Sequence, residues 1–126
     1  MINGDMRIDQ RNAGAAVTVN NSAAFYATDR WFGFGMTTAG VFTLNRSTSS
    51  PTGFTNSLAA TCTTTDASIA AGDRYFVNQA IEGFNAADLG FGAAGAQAVA
   101  LSFWVQSSLT GTYCAKIGRA SCRERV

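Results

Sequence analysis

Apolar and polar residues alternate with a period of two along most of this chain. The sharpest run is residues 97–107. There Val99, Leu101, Phe103 and Val105 fall on one face, and Ala98, Ala100, Ser102, Trp104 and Gln106 on the other. Such alternation marks a half-buried strand, here with the Val/Leu/Phe face inward. Residues 31–36 place Phe32, Phe34 and Met36 on one side and Trp31 with two glycines on the other. Further strands are predicted at residues 6–11, 15–19, 41–44, 58–64 and 74–84. Residues 85–89 predict one helical turn capped by Asn85. Clusters of Gly, Asn, Ser and Asp separate the runs, and no long amphipathic helix pattern occurs. Short strands joined by turns predict an all-β, antiparallel β-sandwich or barrel.

Composition narrows the function. The length of 126 residues suits one domain. Charged residues make up 13% with a net charge of +1, which excludes a polybasic, nucleic-acid-binding chain. There is no histidine, so neither Ser-His-Asp nor Cys-His catalysis is available within the chain. No run of 18 apolar residues occurs, so membrane insertion is not expected.

The charge is unevenly placed. Residues 1–115 hold five basic and seven acidic groups, a balance of −2, whereas residues 116–126 hold four basic and one acidic. The run Ile117-Gly118-Arg119-Ala120-Ser121-Cys122-Arg123-Glu124-Arg125-Val126 resembles a conceptual translation of a short-read sequencing adapter. The expected division is therefore a domain over 1–115 and an artefactual, non-native tail over 116–126. Setting the tail aside leaves Cys62 and Cys114, too few and too far apart for a disulfide framework or a zinc site.

Candidate chemistry is sparse. The seven carboxylates of residues 1–115 sit mostly in or beside turns, where Asp caps and turns the chain, so no enzyme is expected. Glu82 lies mid-strand, with Arg74 or Arg30 as its natural partner. The tripeptides Asn20-Asn21-Ser22 and Asn45-Arg46-Ser47 match the glycosylation pattern, which is common by chance. The aromatics are more informative. Trp31 and Trp104 lie off the inferred inward faces, and Tyr26, Tyr75 and Tyr113 are further aromatics of this kind. Exposed rings of this sort can carry the apolar face of a sugar. Trp31, Trp104, Tyr75 and Arg30 are the candidate ligand-binding residues. Ordinary packing competes for both tryptophans, and a structural ion pair competes for Arg30.

Four stretches carry a family likeness. They are Ile2-Asn3-Gly4-Asp5-Met6-Arg7-Ile8-Asp9-Gln10-Arg11-Asn12, then Tyr26-Ala27-Thr28-Asp29-Arg30-Trp31, then Gln79-Ala80-Ile81-Glu82-Gly83, then Leu101-Ser102-Phe103-Trp104-Val105. Together they resemble phage tail-fibre and virion-associated domains that are themselves similar to carbohydrate-binding modules of jelly-roll fold. The resemblance covers nearly all of residues 2–113. It implies a jelly-roll sandwich, incomplete here because the family continues beyond Gly111 with further strands. It also implies a non-catalytic role on the virion, with a cell-surface glycan and other tail proteins as partners, and a trimer in the full-length protein. Related sugar-binding jelly rolls hold a structural calcium near an Asn-Gly-Asp start. By that resemblance Asn3 and Asp5 would be ligands. The alternatives are a purely structural virion module, or the binding module of a polysaccharide-degrading enzyme. With late strands missing, the apolar face of Val99, Leu101, Phe103 and Val105 would lie uncovered, and the chain alone is expected to fold poorly or aggregate.

Overall fold

Six strands form, five of them on period-two segments of the sequence and one, over residues 24–26, where none was expected. The computed structural model describes residues 1–20, 24–36 and 39–117. The strands are β1 (Val17–Val19), β2 (Ala24–Tyr26), β3 (Trp31–Met36), β4 (Val41–Ser47), β5 (Ser57–Thr64) and β6 (Arg74–Gln79). They form two antiparallel sheets of three, in the orders β1-β4-β5 and β2-β3-β6. A 3-10 helix over Gly83–Leu89 follows β6. The chain is all-β.

The sheets meet at Gly33. A Cβ there would lie 2.5 Å from Leu44 Cδ1 and 2.7 Å from Val19 Cγ2. Residues directly opposite in an antiparallel pair share a face. Gly33 pairs with Phe25 on β2 and with Val77 on β6, so all three point toward the first sheet. Val19, Ala27 and Leu44 are fully buried, with Phe25, Phe42 and Leu58 packed against them. This small cluster is the centre of the core.

The register corrects the expected facing of β3. Trp31 shares its side with Gly33 and Gly35, so it lies on the core-facing side rather than the outer one. Phe32, Phe34 and Met36 point away from the first sheet. There Phe34 stacks on Phe76 at 5.1 Å, and Phe32 lies 5.1 Å from Tyr26. The reason is spatial. Glycine side positions leave room into which Leu44 and Val19 pack, whereas phenyl rings at those positions would separate the sheets.

Four other expectations are corrected. Residues 6–11 form no strand; Met6 has a positive φ of 57°, and the segment curls around side-chain hydrogen bonds. The strand expected to reach residue 84 ends at Gln79. The 3-10 helix starts at Gly83, with Glu82 rather than Asn85 at the cap position, and no side-chain cap bond. Its end needs glycine: Gly90 adopts φ 60° and donates its N–H to Ala87 O. Finally, residues 97–107 form no strand and every one of them is exposed. Alternation specifies which side of a strand is apolar, but a strand also needs a hydrogen-bonded neighbour, and this one has none. Asn21 and Ser22 of one glycosylation tripeptide, and residues 118–126 of the tail, lie outside the described residues. Among the described residues no helix is long and apolar enough to cross a membrane.

Candidate functional site

Two side chains shape the N-terminal segment. Asn3 donates from Nδ2 to Ile8 O at 2.8 Å and to Asp29 O at 3.0 Å, and its Oδ1 accepts from Ile8 N–H at 2.9 Å. Asp9 has a fully buried carboxylate that accepts from the N–H groups of Asn12 at 3.1 Å and Gly14 at 2.6 Å. Arg46 Nε stands 4.0 Å from the same carboxylate, and its Nη1 donates to Arg7 O. Asn12 Nδ2 donates to the carbonyls of Tyr26 and Ala27. The segment is thus tied to the end of β2 and to the turn between β2 and β3.

Between the segment and that turn lies an open groove of about 840 Å³. Ile2 and Ile8 line it, together with the polar groups of Asn3, Gln10, Arg11, Asp29 and Arg30 and the ring of Tyr26. Tyr26 is 43% exposed. The Arg11 guanidinium lies 5.3 Å from its ring centroid, a cation–π arrangement. Among the described residues Arg11 has no carboxylate partner. Asp29 accepts from Gln10 N–H at 3.3 Å, which fixes one wall to the other.

Arg30 occupies a left-handed conformation, φ 75°, in the turn closed by Trp31 N–H donating to Thr28 O at 3.0 Å. A side chain in that region is uncommon and costs energy. Its Nη1 reaches Glu82 Oε1 at 2.6 Å. The Glu82 carboxyl is held below its ordinary value, first by its own backbone hydrogen bond and then by the hydrogen bond to Arg30.

The structure scatters the residues expected to bind ligand. Arg30 lines the groove. Trp31 is half-buried beside it and spends its Nε1 on Asn3 O at 2.9 Å, so it is a clamp on the N-terminal segment. Tyr75 lies at the other end of the β3–β6 pairing. Its OH donates to Asp66 Oδ2 at 3.1 Å, and its ring sets an edge against Phe42. Trp104 is 76% exposed in the segment without regular structure. Arg11, Gln10 and Asp29 were not singled out for binding from the sequence. The one available signal was the Asp9/Asn12 spacing, which turns the chain and lifts Gln10 and Arg11 toward Tyr26.

Asn3 and Asp5 as placed do not fit a calcium ion. Asn3 Oδ1 accepts from Ile8 N–H, and the Asp5 carboxylate pairs with Arg7 Nε at 2.7 Å. A hard cation would have to displace both partners. No family model, curated protein or solved structure matches the chain.

Proposed function

We propose that this chain is a non-catalytic, phage tail-associated domain of jelly-roll type that binds a glycan on a host surface through the groove beside Tyr26. Its place would then be the virion, outside the cell on release. The carrying observation is the groove itself. It is open and lined by planar polar side chains around an exposed tyrosine. Gln10 and Asp29 can hydrogen-bond vicinal hydroxyls, and Arg11 adds a guanidinium with no carboxylate partner among the described residues. The four motif stretches of the sequence support the same reading.

The test is a glycan array probed with the 126-residue chain and with Tyr26→Ala, Arg11→Ala and Trp104→Ala. Loss of a specific glycan signal in the first two variants, with Trp104→Ala unchanged, is the expected result. A signal indifferent to Tyr26 and Arg11 overturns the groove as the site.

One observation favours a second reading, a purely structural virion module. Phe103, Trp104, Val105 and Leu109 are all strongly exposed, as a surface that packs on neighbouring tail proteins would be. A chain that binds no glycan but co-purifies in assembled tails would decide for that reading.

A further inference from the structure

Each sheet ends in a strand whose core-side residues lie open. On β6, Tyr75 and Val77 share the side of Gly35 and Gly33, yet they are 41% and 38% exposed. On β5, Ala60 and Cys62 stand opposite Leu44 and Phe42, and both are exposed although Leu44 is fully buried. The uncovered side of the molecule therefore runs between β5 and β6. The β1 and β2 ends differ: each edge strand there has only three residues.

The chain also contains a strand former without a partner. Residues 98–106 alternate as a strand, and no charged residue occurs from 89 to 115. Among the described residues, no hydrogen bond holds 98–106; the segment is anchored at its start, where Gln97 N–H donates to Leu89 O at 2.8 Å. A β6 edge that is uncharged from Tyr75 to Gln79 and an uncharged unpaired strand former are complementary deficiencies.

We infer that residues 98–105 pair with the β6 edge of a second copy of this chain, most simply as a reciprocal dimer. The two faces match. Val99, Leu101, Phe103 and Val105 would cover Val77 and Tyr75 on the core side, while Trp104 would join Phe76 on the outer side. The edge of β5 is a poorer acceptor, because its pairing with β4 shifts register at Val41/Phe42 and its end is a run of threonines. Area is sufficient. Phe103 and Trp104 can each bury about 150–250 Å², and two donors with their Val and Leu neighbours approach the roughly 1,600 Å² of a stable interface. Exchange of an identical element between copies is a low-cost route to a dimer. The inference is independent of the glycan groove, which lies on the Tyr26 side of the same sheet.

Sedimentation equilibrium of the 126-residue chain and of Leu101→Pro tests it, with hydrogen exchange on the β6 amides. Proline removes an N–H and cannot join a ladder. Because Leu101 has no hydrogen bond in the single chain, the substitution leaves the monomer's melt unchanged. The expected result is a concentration-dependent dimer whose dissociation constant rises by about a hundredfold or more in Leu101→Pro, with β6 protection that grows with parent concentration. A parent that stays monomeric through the micromolar range overturns the inference. So does any assembly that survives Leu101→Pro, and so does β6 protection independent of concentration, which would mean that the segment pairs within its own chain.

Discussion

Single residues decide how close the two sheets come. Gly33 is the clearest case, because Leu44 and Val19 already occupy the volume a Cβ would need. Gly33→Ala should cost about 1–3 kcal/mol by overpacking, read from urea unfolding, whereas Gly72→Ala, with open space around it and no positive φ, should be nearly neutral. Arg30 raises the opposite question, since its backbone is strained while its side chain is useful. Arg30→Gly and Arg30→Ala both lose the Glu82 pair, but only glycine relieves the left-handed φ. Arg30→Gly should therefore be more stable than Arg30→Ala by about 1 kcal/mol, and equal melting temperatures would show that the turn relaxes. The same pair fixes a pH dependence. A carboxyl depressed in the folded chain contributes stability that is present above its unfolded value and lost as pH falls through the folded one. Following the Glu82 carboxyl by NMR, its midpoint should lie below 4.5 and rise part of the way back in Arg30→Ala. The return is partial because the larger cause, the backbone hydrogen bond, remains.

At the level of elements, side-chain hydrogen bonds compete with strand pairing, and the N-terminal segment shows the outcome. Asp9→Ala removes a buried carboxylate and leaves the N–H groups of Asn12 and Gly14 without their acceptor. It should cost roughly 2–4 kcal/mol and loosen the wall that carries Gln10 and Arg11, so groove binding and thermal stability should fall together. Strands β3 to β6 were legible in the sequence because alternation and turn residues agreed there. The facing of β3 was not. Period two separates Trp31 from Phe32 and Phe34, but which side turns inward depends on what the opposite sheet offers, and that was Leu44 and Val19 seeking space at Gly33. Residues 6–11 alternate like a strand and still curl, because Asn3 and Asp9 satisfy backbone groups that a neighbouring strand would otherwise take. The groove was hidden for the same reason: Arg11 and Tyr26 meet only once that curl exists. Of the residues expected to bind, Arg30 alone lines the groove, with its Nη1 paired to Glu82, while Trp31 is committed to Asn3 O.

Over the whole molecule, the core is small relative to the apolar surface left outside it. Val19, Ala27 and Leu44 are the fully buried apolar residues among those described, while much of the apolar content of residues 97–113 is exposed. A core of this size leaves little reserve, because a small domain is a narrow balance of large opposing terms. Leu44 touches both sheets, standing beside Gly33 and opposite Val17 and Ala60. Leu44→Ala should cost about 3–4 kcal/mol in lost transfer energy and cavity, enough to abolish a cooperative thermal transition in the monomer. Leu109→Ala removes a side chain that is 74% exposed and should leave the melt in place. The two variants separate core from contact surface. If the exposed leucine were part of the folding core, Leu109→Ala would lower the melting temperature of the isolated monomer. If it serves assembly, only the concentration dependence of the melt would change, because pairing between copies stabilises by mass action and the monomer's own packing does not.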